Sequence, residues 1–172
     1  MRDVLQGKDG WDGSKAPVIY SHSSAWSICP HPRNVKDEIL QLVKKSNSLV
    51  MVNVAPDFIS CVDKGNANGI PETVPENATI ERVADHIVHI GSLIGYDHVG
   101  IGTDFDGIPT VPKGFEDVTK YPELVAQLLK RGVSDSNAGK IVGGNLLRVW
   151  RDVDAVSATM KAEGIPAMED TI

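Results

Sequence analysis

Three short apolar runs, residues 16–22 (APVIYSH), 48–54 (SLVMVNV) and 98–107 (HVGIGTDFDG), alternate with longer stretches in which apolar positions recur at helical spacing. In residues 34–47 the stripe is Ile39, Leu42 and Val43, with Asn34 read as the N-cap and Asp37 and Glu38 in the first turn. Residues 48–54 are almost wholly apolar, the pattern of a strand covered on both faces. A polar loop rich in Gly and Pro follows over about 62–76, and then Ile80, Val83, Ile87, Ile90 and Ile94 mark a second helix. After the third run the pattern is helical over 121–132, 134–144 and 145–164. At the start, MRDVLQG reads as the last two turns of a helix closed by Gly7, with no N-cap before it, so the expectation is a chain that begins inside an element. The order α-βα-βα-β, then helices, predicts an α/β fold whose parallel strands are joined by right-handed crossovers. Two architectures fit: an open doubly wound sheet, or a piece of a (β/α)8 barrel, which three strands cannot close.

Composition narrows the function classes. The chain has 172 residues, enough for one domain, with 41% apolar and 23% charged residues. Its net charge is −6 and its Lys and Arg residues are scattered, which argues against nucleic acid as a partner. No apolar run approaches the roughly 18 residues of a membrane span. MRDVLQGKDGWDG lacks the apolar core of a signal peptide; the chain as it stands reads as cytoplasmic, and its compartment stays open. Cys29 and Cys61 follow the first two strands on neighbouring loops, and spacing alone weighs free thiols and a disulfide equally. Asn77-Ala78-Thr79 is a glycosylation sequon that matters only in a secreted chain; it precedes a helix and reads as its start.

The candidate chemistry gathers at the carboxyl ends of the strands, where α/β folds place their sites. Val18, Tyr20 and His22 share a face by alternation, and His22 is the last of them. Its imidazole is either a metal ligand or a hydrogen-bonded residue at a loop entrance. On the third strand Gly100, Gly102 and Asp104 share the face opposite Val99, Ile101, Thr103 and Phe105. The two glycines leave room for backbone or ligand, and Asp104 can bind metal, accept a proton or hold an amine. Asp106 is assigned to the turn. Pro30 and Pro32 stiffen the loop that presents Arg33, whose guanidinium suits a carboxylate or phosphate. His31 is read as exposed and incidental, His86 and His89 as helix-face residues, and His98 has no assignment. Ser21, Ser23 and Ser24 beside His22 lack the G-x-S-x-G elbow of acyl-enzyme chemistry, and GIGTDFDG lacks the third glycine of a dinucleotide loop.

The segments PVIYSHSSAWSICPHPRNV, SLVMVNVAPDFISC, HVGIGTDFDG, FEDVTKYPELVAQLL and GGNLLRVW together resemble the renal, or membrane, dipeptidase family of metal-dependent barrels. The resemblance covers residues 1–150 in register; 151–172 are the end of a C-terminal helix and a tail. It implies the C-terminal portion of a TIM barrel, with about three of its parallel strands, and hydrolysis of dipeptides by a hydroxide bridging two zinc ions. It makes His22 a metal ligand, Arg33 the residue that contacts the substrate carboxylate, and Asp104 a substrate-binding and proton-transferring carboxylate. It also places Cys29 and Cys61 on positions that are disulfide-bonded in secreted relatives. The other family ligands (a His-x-Asp pair on the first strand, a bridging glutamate, a histidine on the fifth strand) precede the part of the family barrel that this chain resembles. The isolated chain is therefore expected to be inactive. Alternatives are a catalytically dead fragment that acts through a complementary barrel half or a homo-oligomer, and a related hydrolase for another amide or lactam.

Overall fold

The computed structural model describes residues 1–166. The strands are β1 (Ile19–Tyr20), β2 (Leu49–Val52), β3 (Cys61–Val62), β4 (Glu72–Thr73) and β5 (Val99–Ile101). The helices are α1 (Arg2–Gln6), α2 (Asp37–Lys45), α3 (Pro56–Ile59), α4 (Ile80–Ile94), α5 (Tyr121–Lys130), α6 (Asp135–Gly139) and α7 (Asn145–Ala162). β1, β2 and β5 form a parallel sheet with β2 in the middle, in the registers Ile19–Leu49 and Val50–Val99. This is the α/β arrangement that the alternation of strand and helix patterns predicts, with α2 and α4 as the crossovers.

One face of the sheet carries the core. Val50, Val52, Val99 and Ile101 are buried with Ile39, Leu40 and Val43 of α2, Val83, Ala84, Ile87 and Ile90 of α4, and Leu124 and Leu128 of α5. Fully burying one such side chain is worth roughly 1.5–3 kcal/mol. On that scale α4, with eight buried residues, anchors the fold, whereas α7 buries only Asn145 and Val149. Thr79 caps α4 by accepting the Arg82 N–H at 3.4 Å, which is the helix-start reading of the sequon triplet.

The strands are shorter than the apolar runs. β1 ends at Tyr20, where Ser21 and His22 turn away; β5 ends at Ile101, with one more bond from Gly102 N–H to Val52 O at 3.0 Å before the chain turns at Asp104, which has φ 62°. Gly102 lies on the face opposite the core, and a Cβ there would overlap the Ser21 carbonyl oxygen. The end of β1 thus folds over the sheet onto the third strand, the close backbone approach expected of the glycines.

Other boundaries also shift. α2 begins at Asp37 after an N-cap at Lys36 that makes no side-chain cap bond, so Asn34 is not the cap. The loop over 62–76 contributes β4, which pairs antiparallel with β3 in a two-stranded ribbon. The helical patterns at 134–144 and 145–164 join through a π turn at Lys140–Gly144. That turn sits against the face of Leu49 and Gly100: the Ile141 carbonyl is 3.6 Å from where a Gly100 Cβ would stand. Asn145 Nδ2 donates to Tyr96 O at 2.7 Å and Val99 O at 2.9 Å, and Arg148 donates to Asn47 O and Asp97 O, each at 2.9 Å. The amino-terminal end of the sheet is closed this way rather than left open. Leu147 and Trp150, each 62% exposed, and Ile19, 37% exposed, remain as uncovered apolar surface.

Candidate active site

Two of the three residues expected at the site touch. Arg33 Nη2 lies 3.1 Å from His22 Nδ1 at the carboxyl end of β1. A guanidinium has only donors, so Nδ1 is the acceptor and its lone pair is engaged. His22 is half-buried and Arg33 is exposed. Because both His22 and Asp104 have left their strands, strand alternation does not orient either side chain; the turns do.

Arg33 is held from below and behind. Its guanidinium carbon lies 5.1 Å from the centre of the Phe58 ring, a cation–π distance, and His31 packs on the same ring with centroids 4.5 Å apart. The Arg33 N–H donates to His31 Nδ1 at 3.2 Å. His31 is therefore not an exposed bystander but 8% exposed, because the Pro-flanked loop folds it inward onto Phe58. Burial pushes its pKa down, opposed by the Asp57 carboxylate and reinforced by Arg33, which favours the neutral ring that Arg33 needs as acceptor.

The loop from β1 to α2 is tied to its surroundings by three further groups. Cys29 and Cys61 form a disulfide that joins it to the first residue of β3. Asn34 is buried and bonds Ser24, Cys29 and Phe58. His86, fully buried on α4, accepts the Ala25 N–H at Nδ1 (3.0 Å) and donates from Nε2 to Ile59 O (2.9 Å). Burial drives its pKa down to about 4, so the ring is neutral as this bonding demands. Phe58, Asn34 and His86 were not legible as site residues. Only the adjacency of Phe58 to the carboxyl end of β2 and of Asn34 to Arg33 hinted at them. His89 pairs instead with Asp37 at 2.9 Å across the α2–α4 contact, and buried His98 bonds Ser48 O at 3.0 Å.

Asp104 lies just beyond β5, half-buried, and is followed by Phe105, which packs on Phe115 with centroids 5.5 Å apart, Phe115 in turn packing on Tyr121 at 5.4 Å. Gly107 N–H donates to the Asp104 carbonyl at 2.9 Å, and a side chain at Gly107 would collide with the Asp104 carboxylate. Asp106 is exposed. Among the described residues no three His, Cys, Asp or Glu side chains converge closely enough to hold a metal. With a single imidazole whose Nδ1 is already engaged, these residues do not compose a metal centre by themselves.

The model of the membrane dipeptidase family (Peptidase family M19) matches residues 1–164. The chain belongs to this family. It is 45% identical over 157 residues to dipeptidase AclJ of Aspergillus oryzae and 44% identical over 164 residues to dipeptidase TcpJ of Claviceps purpurea. These alignments take in 91% and 95% of the chain but 34% and 36% of the relatives, so the chain spans about a third of their length. Among solved structures it is similar, at a TM-score of 0.68 and 32% identity, to a metallopeptidase from Rhodobacter sphaeroides liganded with a phosphinate mimic of the dipeptide L-Ala-D-Ala. A family dipeptidase described as dipeptidase AC matches equally well, and the likeness covers 81% of the chain and 38% of that structure. The family is one of hydrolases, and the three parallel strands are the part of its architecture that this chain carries.

Proposed function

We propose that this chain supplies the carboxylate-binding wall of a dipeptide-hydrolysing site, with Arg33 as the group that reads the C-terminal carboxylate. The observation that carries the reading is the Arg33–His22 pair at the strand ends, seated on Phe58. A guanidinium offers paired N–H groups that match a carboxylate in two parallel bonds. A dipeptide carboxylate is a better acceptor for it than a neutral imidazole, so substrate would draw Arg33 from His22 Nδ1 and release that lone pair. Asp104, held out on its left-handed turn, would hold the substrate amine or carry a proton to and from the cleaved amide. The two zinc ions that the family resemblance implies would draw most of their ligands from outside the described residues, with His22 contributing one imidazole.

The isolated chain is expected neither to hydrolyse dipeptides nor to bind zinc tightly, and to act in company with a complementary barrel portion. The exposed Ile19, Leu147 and Trp150 favour that association over a self-sufficient monomer. The test joins this chain to the barrel portion that its relatives carry in addition. Losing two charge-assisted hydrogen bonds in Arg33→Met should lower kcat/KM for dipeptides by about 10²–10³-fold. Dipeptide C-terminal amides should be turned over equally by both proteins. An equal loss on both substrates would remove Arg33 from carboxylate recognition and leave open a hydrolase for another amide or lactam.

A further inference from the structure

Asn34 sits one residue beyond Arg33, is 4% exposed, and is not occupied by the helix-capping task its position suggests. Its amide is almost fully used. Nδ2 donates both hydrogens, to Cys29 O at 2.9 Å and Phe58 O at 2.7 Å, while Oδ1 accepts the Ser24 N–H at 3.0 Å. Those three partners lie on the segment leaving His22, on the disulfide loop, and on α3 beneath the Phe58 ring. The backbone of Asn34 is also fixed, its N–H donating to His31 O at 2.9 Å, and Val35 pairs with Ala25.

We propose that Asn34 is a positioning residue for Arg33: one carboxamide holds Ser24, Cys29 and Phe58 at the separations that place the guanidinium between the Phe58 ring and the His22 imidazole. The chemistry requires an amide. A carboxylate of the same shape keeps the Ser24 bond but puts a single acceptor oxygen, in place of the amide NH2, against both the Cys29 and Phe58 carbonyls, while alanine leaves the Ser24 N–H and the Phe58 carbonyl without this partner and the Cys29 carbonyl with the His31 N–H alone. Phe58 would then move off Arg33 while the sheet and α4, which do not touch this amide, keep their packing. The functional consequence rests on the proposed carboxylate role of Arg33; the positional one does not.

The experiment is a pair of NMR measurements on the full 172-residue chain. The first reads the Arg33 Nε–Hε resonance, assigned by its loss in Arg33→Lys, and the ring-current shift that Phe58 imposes on it, assigned by its loss in Phe58→Leu. Asn34→Asp and Asn34→Ala should both abolish that shift while the amide resonances of β2 and α4 hold their positions. An unchanged Arg33 resonance in both variants would overturn the proposal. So would the collapse of both, seen as loss of the β2 and α4 resonances, because Asn34 would then be a general structural residue. The second titrates glycylglycine and its C-terminal amide. The parent chain should prefer the carboxylate about tenfold, and the two Asn34 variants should lose that preference. A parent chain without preference would refute the carboxylate reading of Arg33 and leave the positional result standing.

Discussion

At the scale of the residue, burial decides what each histidine does. His86 has its Nδ1 facing the Ala25 N–H, so a proton there would set two donors against each other inside the core. Its pKa is near 4 when folded against an ordinary 6.5, so the unfolded chain binds the extra proton first as pH falls. The stability that His86 confers is complete above pH 6.5, fades as pH falls towards 4, and changes no further below that. The loss amounts to about 3 kcal/mol. Urea unfolding at a series of pH values should show this slope, and His86→Gln should flatten it. Buried His31 and His98, whose pKa values are also pushed down by desolvation, add to the slope in the same direction. Gly102 acts by lacking a side chain. Gly102→Ala should displace the Ser21 carbonyl, cost about 1–3 kcal/mol, and move the His22 resonances in an NMR spectrum.

At the scale of the element, the apolar periodicity located all three strands of the sheet and the long helices, because burial of one face is a strong local signal. α4 shows this best: Ile80, Val83, Ile87, Ile90 and Ile94 all stand in its buried stripe. What periodicity could not give was where pairing stops. The runs at 16–22 and 98–107 continue in sequence past Tyr20 and Ile101, but the chain leaves the sheet there through turns fixed by long-range contacts such as Ser21 over Gly102. The β3–β4 ribbon was illegible for a related reason, since two-residue strands carry no period. Asn34 was misread because a polar residue ahead of an amphipathic run is the usual sign of a cap, and its buried partners lie far along the chain. The π turn before α7 was equally hidden, and Asn145 is its anchor. Asn145→Ala should strip donors from the Tyr96 and Val99 carbonyls, cost about 2–3 kcal/mol in urea unfolding, and loosen α7 in hydrogen exchange. An unchanged exchange rate in α7 would show that the helix is held by other contacts.

At the scale of the whole molecule, a chain that spans about a third of the length of its curated relatives has organised a core on one face of its sheet and a candidate site at one end. His22 and Arg33 stood out as candidates because their segments carry the family pattern, and the structure brings the two into contact, whereas the groups that hold them were not legible, since each acts through backbone atoms distant in sequence. Trp150 and Leu147 stand exposed together on α7, and replacing both with Lys should lower any concentration-dependent association seen in sedimentation. The central claim is that Arg33 exchanges the His22 imidazole for a substrate carboxylate. The most direct measurement follows the nitrogen-15 resonance of His22 Nδ1 as a dipeptide is added to the chain. A dipeptide should shift it, while its C-terminal amide, or the dipeptide added to Arg33→Met, should not. An equal response to the amide, or no response to either, would contradict the account.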